Sequence, residues 1–419
     1  MKFAKLFQEV LTSEHLPEEW LSKAIKYKQL KKRINKVVNE LESIGVSKDD
    51  MIFTYNIELV RTEIRPKLKM NISPLLKSVI TEKLDILGYE YFINVIKVKE
   101  VDDNCSTVES AVNPFDEKPY YELTISLIED SKFFQILYEE IEGLNEFKEL
   151  KEKEITDNVQ QIASNVSTVT SPALKKSDLY VWRQIFQMYI ESEIFFSTIE
   201  KNAGDVNVNL SKERYTKFLQ QIAQTNIISN FKHKDSAKAF YDFKLMNDEI
   251  LKVSNYQIFN TMAVTKILKK FDKQTHLTSK NIFPNLVVNA AEINILKGSI
   301  AKDICYIISN QLLSIVPQID DYLCPICCAV AFKPIRLSCN HLFCVRCLVK
   351  LRRNQEDKCP LCREPCLLSL TANDLDISQM NYLRLYFPKE VKEKEKENDR
   401  EIISEQYGRS ANDKQCIIM

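Results

Sequence analysis

Four short pairs of metal-ligating residues near the carboxyl end constrain this chain more than any other feature. The block CPICCAVAFKPIRLSCNHLFCVRCLVKLRRNQEDKCPLC holds Cys324 and Cys327, Cys339 and His341, Cys344 and Cys347, and Cys359 and Cys362. Three pairs are Cys-x2-Cys and one is Cys-x-His. A Cys-x2-Cys turn sets two sulfurs about one ion edge apart, so seven thiols and one imidazole make two tetrahedral zinc sites. Four protein ligands per ion leave no open position, so the pattern implies structural zinc and excludes hydrolytic zinc chemistry. A segment this small and poor in apolar residues should fold around its metal.

The rest of the composition narrows the context. The chain has 419 residues with 58 basic and 58 acidic side chains, enough for two or three domains. Zero net charge argues against a general nucleic-acid binder. With 6 glycines, turn- and bulge-rich sheet is disfavoured and long helices are expected. The N-terminus MKFAKLFQEVL lacks a signal-peptide core, and no run of about 18 apolar residues could span a bilayer. A cytoplasmic location with reduced thiols is therefore expected, and most of the twelve cysteines call for metal rather than disulfides. No Gly-rich phosphate loop and no Ser/His/Asp signature marks a metabolic enzyme. His15, His233 and His276 are scattered and read as surface residues.

Along the chain, residues 1–46 read as two helices breaking near Pro17. Leu30, Ile34, Val37, Val38 and Leu41 form the apolar stripe of the second, and Gly45 ends it. Residues 47–131 read as helix, loop and a hairpin at YYELTISLI. Residues 132–155 predict a long charged helix buried along Leu137, Ile141, Leu144 and Phe147. The Ser/Thr/Asn-rich stretch 156–178 reads as a flexible insertion. Helical patterns resume at 179–202 and 235–275. One amphipathic helix is expected over 288–316, and from 388 a mixed-charge tail that is an exposed helix or disordered.

The cysteine block resembles the RING finger family. Its cross-brace implies that Cys324, Cys327, Cys344 and Cys347 hold one ion and Cys339, His341, Cys359 and Cys362 the other. Cys328 and Cys366 are left over as packing or surface thiols. The resemblance also implies docking of a ubiquitin-conjugating enzyme at Ile326, Pro360 and Leu361, with Arg363 bridging that enzyme and its ubiquitin. The implied activity is that of a RING-type E3 ubiquitin-protein transferase, which forms no covalent intermediate with substrate and catalyses by positioning. The alternative is a RING that only assembles complexes.

A second pattern is cationic. Residues 20–36 carry seven Lys/Arg and no acid, with Tyr27 and Lys31 on one helical face. TKILKKFDK places Lys266, Lys269, Lys270 and Lys273 along another. Either segment alone is an ordinary solvated face. Brought together, they would repel one another and favour a polyanion. The Lys-rich segments lack the interleaved aromatics and Arg readers of nucleic-acid binders. The order MKFAKLF, PEEW…YKQLKK, FFQILYEEIEGLNEFKELKEKE and NTMAVTKILKKFDK resembles SPX domains. These are helical sensors of inositol polyphosphates and pyrophosphates. Carried over by position, Tyr27, Lys31 and Lys270 match the phosphate-binding cluster, and Lys2, Lys266, Lys269 and Lys273 the surrounding lysine surface. Phe271 stands where many members have a polar or aromatic residue, and little rests on it.

The expected architecture is mainly α: an elongated helical SPX-type bundle over 1–285 with insertions at about 47–131 and 156–234, a connecting helix over 286–320, a small two-zinc cross-brace RING at 321–370 and a charged tail over 371–419. The pairing resembles the SPX-RING ubiquitin ligases associated with phosphate homeostasis. It implies a conjugating enzyme, ubiquitin, an inositol polyphosphate and a protein substrate such as a phosphate transporter as partners. The chain ends Cys416-Ile417-Ile418-Met419, a pattern for farnesylation at Cys416 that would add peripheral membrane attachment.

Overall fold

The computed structural model describes residues 3, 5–7, 9, 16–44, 53–72, 74–96, 120–195, 207–290, 293, 295–296, 299–368 and 370–407. Lys2, Gly45 and Cys416 lie outside them. The chain divides into two compact units. The first comprises 1–158, 199–209 and 245–305, and the second 159–198, 210–244 and 306–419.

In the first unit, Pro17 opens a short helix α1 (Glu18–Lys23), followed by α2 (Tyr27–Ile44). The expected second helix is thus broken at Ala24–Lys26, where the backbone turns extended. The stripe on α2 is buried at Leu30, Ile34, Val37, Leu41 and Ile44. Glu40, also on α2, turns inward for a different reason. Its carboxylate accepts the N–H groups of Ile128 at 2.7 Å, Glu129 at 2.9 Å and Asp130 at 3.3 Å. These are the orphan donors that open α4 (Ile128–Thr170), where a carboxylate also meets the positive end of the helix dipole.

Between α2 and α4 the structure corrects the reading of 47–131 as helix, loop and hairpin. Four antiparallel strands, β1 (Phe53–Val60), β2 (Glu63–Ile72), β3 (Tyr91–Ile96) and β4 (Tyr120–Ile125), form one sheet in the order β1-β2-β4-β3, with α3 (Pro74–Leu87) preceding β3. YYELTI is therefore an inner strand, not one arm of a local hairpin. In β2 burial alternates strictly, with Ile64, Pro66, Leu68, Met70 and Ile72 inside. α4 buries Leu137, Ile141, Leu144 and Phe147 as expected. Phe133 stacked on Phe271 and Phe134 edge-on to it, with centroids 4.9 and 5.0 Å apart, join it to α7 (Lys234–Thr275). Phe271 is thus a core residue.

The stretch 156–178 is not a flexible insertion among the described residues. α4 continues to Thr170, with Val159, Ile162, Val166 and Val169 buried at helical spacing in the second unit. Asp178 then accepts the N–H groups of Lys232 at 2.8 Å and His233 at 3.1 Å and the Ser236 hydroxyl at 2.6 Å, which fixes the start of α7. α5 (Leu179–Glu191) and α6 (Val208–Thr225) complete this helical part. The single helix expected over 288–316, and with it the 286–320 connector, is also corrected. α8 (Ser279–Ala290) and α9 (Ile300–Gln311) are separate.

The cysteine block follows. It holds a two-stranded ribbon of β5 (Pro334–Arg336) and β6 (Leu342–Cys344) and one helix, α10 (Val345–Arg353). Two helices of the expected tail complete it: α11 (Ile377–Tyr386) and α12 (Pro388–Tyr407). As far as Tyr407 the tail is helical, and its Phe387 and Val391 lie in the same packed cluster as Cys324, Cys344, Phe343 and Leu348.

Candidate zinc centre and lysine-bearing helices

Both outer Cys-x2-Cys pairs fold as the same tight turn. Cys328 N–H bonds the Cys324 carbonyl and Arg363 N–H the Cys359 carbonyl, each at 2.8 Å. Cys324 N–H and Cys359 N–H close the loops on Ala329 and Glu364, again at 2.8 Å. The residue after each second cysteine is left-handed, Cys328 at φ 52 and Arg363 at φ 64. The ribbon β5–β6 and the start of α10 deliver Cys344 and Cys347 to the first turn. Cys339 and His341 sit on the loop before β6.

Among the described residues, two ligand groups result: Cys324, Cys327, Cys344 and Cys347, and Cys339, His341, Cys359 and Cys362. Within each, the ligand atoms lie within 4.8 Å of one another. This is the cross-brace partition that the resemblance implied. The spacing fits zinc. A tetrahedron with Zn–S bonds of about 2.3 Å has an edge of about 3.8 Å, and Cys327 Sγ lies 3.8 Å from Cys344 Sγ. In the second group His341 Nδ1 stands 3.3 Å from Cys339 Sγ and 3.6 Å from Cys359 Sγ. Nδ1 is therefore the ligating nitrogen, which leaves the proton on Nε2.

Electrostatics agree. Contacts with the Cys344 and Cys347 thiols pull the Cys324 thiol far down, while the Cys324 and Cys347 thiols push Cys344 far up. Sulfurs this close cannot all ionise without a cation among them. Backbone N–H groups prepare the sulfurs for charge: Phe332 donates to Cys344 Sγ at 3.2 Å and Cys344 to Cys324 Sγ at 3.4 Å. The two ions would tie turns 35 residues apart into one body; Cys328 stays exposed and Cys366 is buried as packing.

On the outer surface Ile326 is 38% and Leu361 53% exposed, in the two equivalent turns, and Pro360 and Arg363 are exposed beside Leu361. Large apolar side chains held open on a metal-braced frame are what a docking surface requires. The module is held from behind by residues the sequence did not single out. Arg183 of α5 is buried, donates to the carbonyls of Pro317 at 2.8 Å and Tyr386 at 2.9 Å, and lies 4.2 Å over the Phe387 ring. Asp376 caps α11 at Gln379 N–H, 2.8 Å away, and pairs with Arg336 of β5 at 2.8 Å.

The lysine-bearing segments of α2 and α7 belong to the first unit. Ile25 N–H, just before α2, bonds Asn260 Oδ1 of α7 at 2.9 Å, and Tyr256 of α7 donates to the Trp20 carbonyl at 2.7 Å. Glu40 near the other end of α2 caps the start of α4, which stacks on Phe271 of α7. α2 and α7 therefore run in the same direction. Lys31 lies in the second turn of α2, which begins two residues after Ile25, and Lys266 lies six residues beyond Asn260, so the two stand within about one turn of each other along the shared direction. Lys31, Lys266, Lys269 and Lys273 are exposed and Lys270 is half-buried. Tyr27 is 8% exposed, its ring edge-on to Phe3 at 5.1 Å, and burial raises its phenol. Among the described residues, no helix is long and apolar enough to cross a membrane.

A helical domain followed by a two-zinc cross-brace defines this chain as a protein with a RING module at its carboxyl end. The comparisons place it further: the SPX domain family model matches residues 1–287 and the C3HC4 RING finger model residues 324–362. The chain belongs to the SPX family, among members that also carry a C3HC4 RING finger. It is 33% identical over the full length of both chains to the transcriptional regulator of yeast form adherence 3 of Candida albicans. It is 30% identical to an uncharacterised RING finger protein of Schizosaccharomyces pombe, covering 96% of this chain and 97% of that one. Over 47 residues it is 45% identical to the E3 ubiquitin-protein ligase PRT1 of Arabidopsis thaliana, 11% of this chain and 12% of that one. No solved structure matches it.

Proposed function

We propose that this protein is a RING-type ubiquitin ligase whose SPX domain senses inositol polyphosphates or pyrophosphates. On this reading it acts in phosphate homeostasis, on phosphate transporters or related proteins. The observation that carries the ligase reading is the pair of exposed apolar residues, Ile326 and Leu361, on equivalent turns of the zinc module. The likeness to a named ubiquitin ligase over 47 residues supports it. Ile326, Pro360 and Leu361 receive the conjugating enzyme. Arg363 adds a planar, multi-donor cation to bridge that enzyme and its ubiquitin. The zinc ions hold this surface in shape and supply no reacting group. Rate comes from holding the thioester beside an incoming lysine.

The ligand reading rests on lysines on the parallel helices α2 and α7, with the Tyr27 hydroxyl, whose burial raises a pKa already well above neutral pH, as a neutral donor. Binding there biases substrate capture. The test is autoubiquitination in a reconstituted system. Wild type should modify itself, and Ile326→Ala should cut the rate at least about tenfold, the loss expected when an interface anchor worth about 1.4 kcal/mol or more is removed. Unaltered activity in Ile326→Ala would remove the docking assignment.

A further inference from the structure

The last helix, α12, reads KEVKEKEKENDREIISEQY in its mixed-charge stretch, yet its inner side is specific. Val391, Lys394 and Asn398 are buried, and Glu401 and Glu405 continue the same stripe at steps of three and four residues. That stripe faces the zinc module. Val391 packs in the cluster that holds Cys324, Cys344 and Cys347. Glu401 accepts Arg346 Nε at 2.6 Å and Lys350 Nζ at 2.7 Å from α10, and Glu405 accepts Arg346 Nη2 at 2.6 Å and Arg353 Nη1 at 3.0 Å.

Lys394 lies between these contacts, one turn beyond Val391. Its side chain is 8% exposed, and it pairs with the carboxylate of Glu397 at 2.6 Å, itself 56% exposed. A buried ammonium flanked on the solvent side alone would be costly. Val391, packed with Cys344 and Cys347, and Glu401, paired with Arg346 between those two cysteines, bracket Lys394, so its buried side chain lies against the segment that carries two of the four sulfurs. Four thiolates around one divalent ion carry a net charge of minus two, whereas the group containing His341 carries minus one. The doubly negative site is the one beside the buried lysine.

We propose that Lys394 is the counter-ion of the four-cysteine zinc site, a positioning residue contributed by α12 from outside the RING motif. The zinc module then extends to about residue 407, and the affinity of one of its two ions depends on α12. Such outer partners typically change metal affinity about 10–100-fold.

The test uses the full chain loaded with two zinc ions. Release to a chelating dye is followed in two phases, assigned by cobalt substitution, since four-sulfur and three-sulfur sites absorb differently. Lys394→Met should weaken the four-cysteine site about 10–100-fold and leave the other unchanged. Lys394→Arg should restore it. Glu401→Gln/Glu405→Gln removes the ion pairs to α10 while keeping the ammonium and the Val391 packing that seats it, and should leave the two phases as in wild type. Wild-type release from Lys394→Met would overturn the proposal, as would failure of Lys394→Arg to restore binding, or the same selective loss in the double glutamine variant. A Lys394→Met chain that stays misfolded at saturating zinc would also overturn it, because a counter-ion acts through metal affinity.

Discussion

Asp130 shows how much a single side chain depends on where the fold puts it. It is fully buried at the start of α4. Its Oδ2 accepts the Tyr55 hydroxyl at 2.7 Å, and its Oδ1 has no hydrogen-bond partner among the described residues. Burial pushes its pKa up to about 8; the Tyr55 hydrogen bond opposes this and the nearby Glu40 carboxylate adds to it. The native state therefore favours the protonated acid. Stability from this group is fully present below the unfolded carboxyl pKa of about 4 and is lost as pH rises through about 8. Asp130→Asn keeps an acceptor for Tyr55 without the charge. Scanning calorimetry should show wild type losing melting temperature relative to this variant between pH 4 and pH 8; parallel curves would contradict the assignment. Nothing in the local sequence marks Asp130 or Arg183, because tertiary neighbours alone make them exceptional. The eight zinc ligands were legible because chelation demands fixed spacing within a few residues.

At the scale of elements, α2 and α7 carry the ligand reading. Ile25 and Asn260 pin the two helices so that Lys31 lies within about one turn of Lys266, where the Lys266–Lys273 run starts. Calorimetry should show inositol hexakisphosphate binding the wild-type chain, more weakly as salt is raised. Lys31→Ala/Lys270→Ala should lower the affinity at least about tenfold, a loss of about 1.4 kcal/mol. Unchanged affinity would refute the site. Helices with a clean apolar stripe, such as α2 and the first half of α4, were legible as such. β2 was not, although Ile64, Leu68, Met70 and Ile72 alternate with polar residues, because Pro66 and the Ser/Asn/Pro pieces nearby read as breaks. The end of α4 was missed because Ser, Thr, Val and Asn are weak helix formers; burial of Val159, Ile162, Val166 and Val169 overrides that preference. α12 hid its inner side for the opposite reason. Its stripe is polar, and only opposing charges on α10 show which side turns inward.

At the scale of the whole molecule, the chain unites an SPX domain with a RING whose core takes in Leu383, Phe387 and Val391 from well beyond the last metal ligand. The two families were legible because each repeats short motifs in a fixed order. How far each compact unit extends was not, since α4 and α7 contribute residues to both. The central claim is that two zinc sites build a working platform for a ubiquitin carrier. Its most direct measurement is single-turnover discharge of ubiquitin from a charged conjugating enzyme, recorded on the same samples as zinc content while the metal is withdrawn. The account predicts two zinc ions per chain at the start and a discharge rate that falls to background as they leave. Discharge that continues undiminished in zinc-free protein, or active protein without stoichiometric zinc, would contradict it.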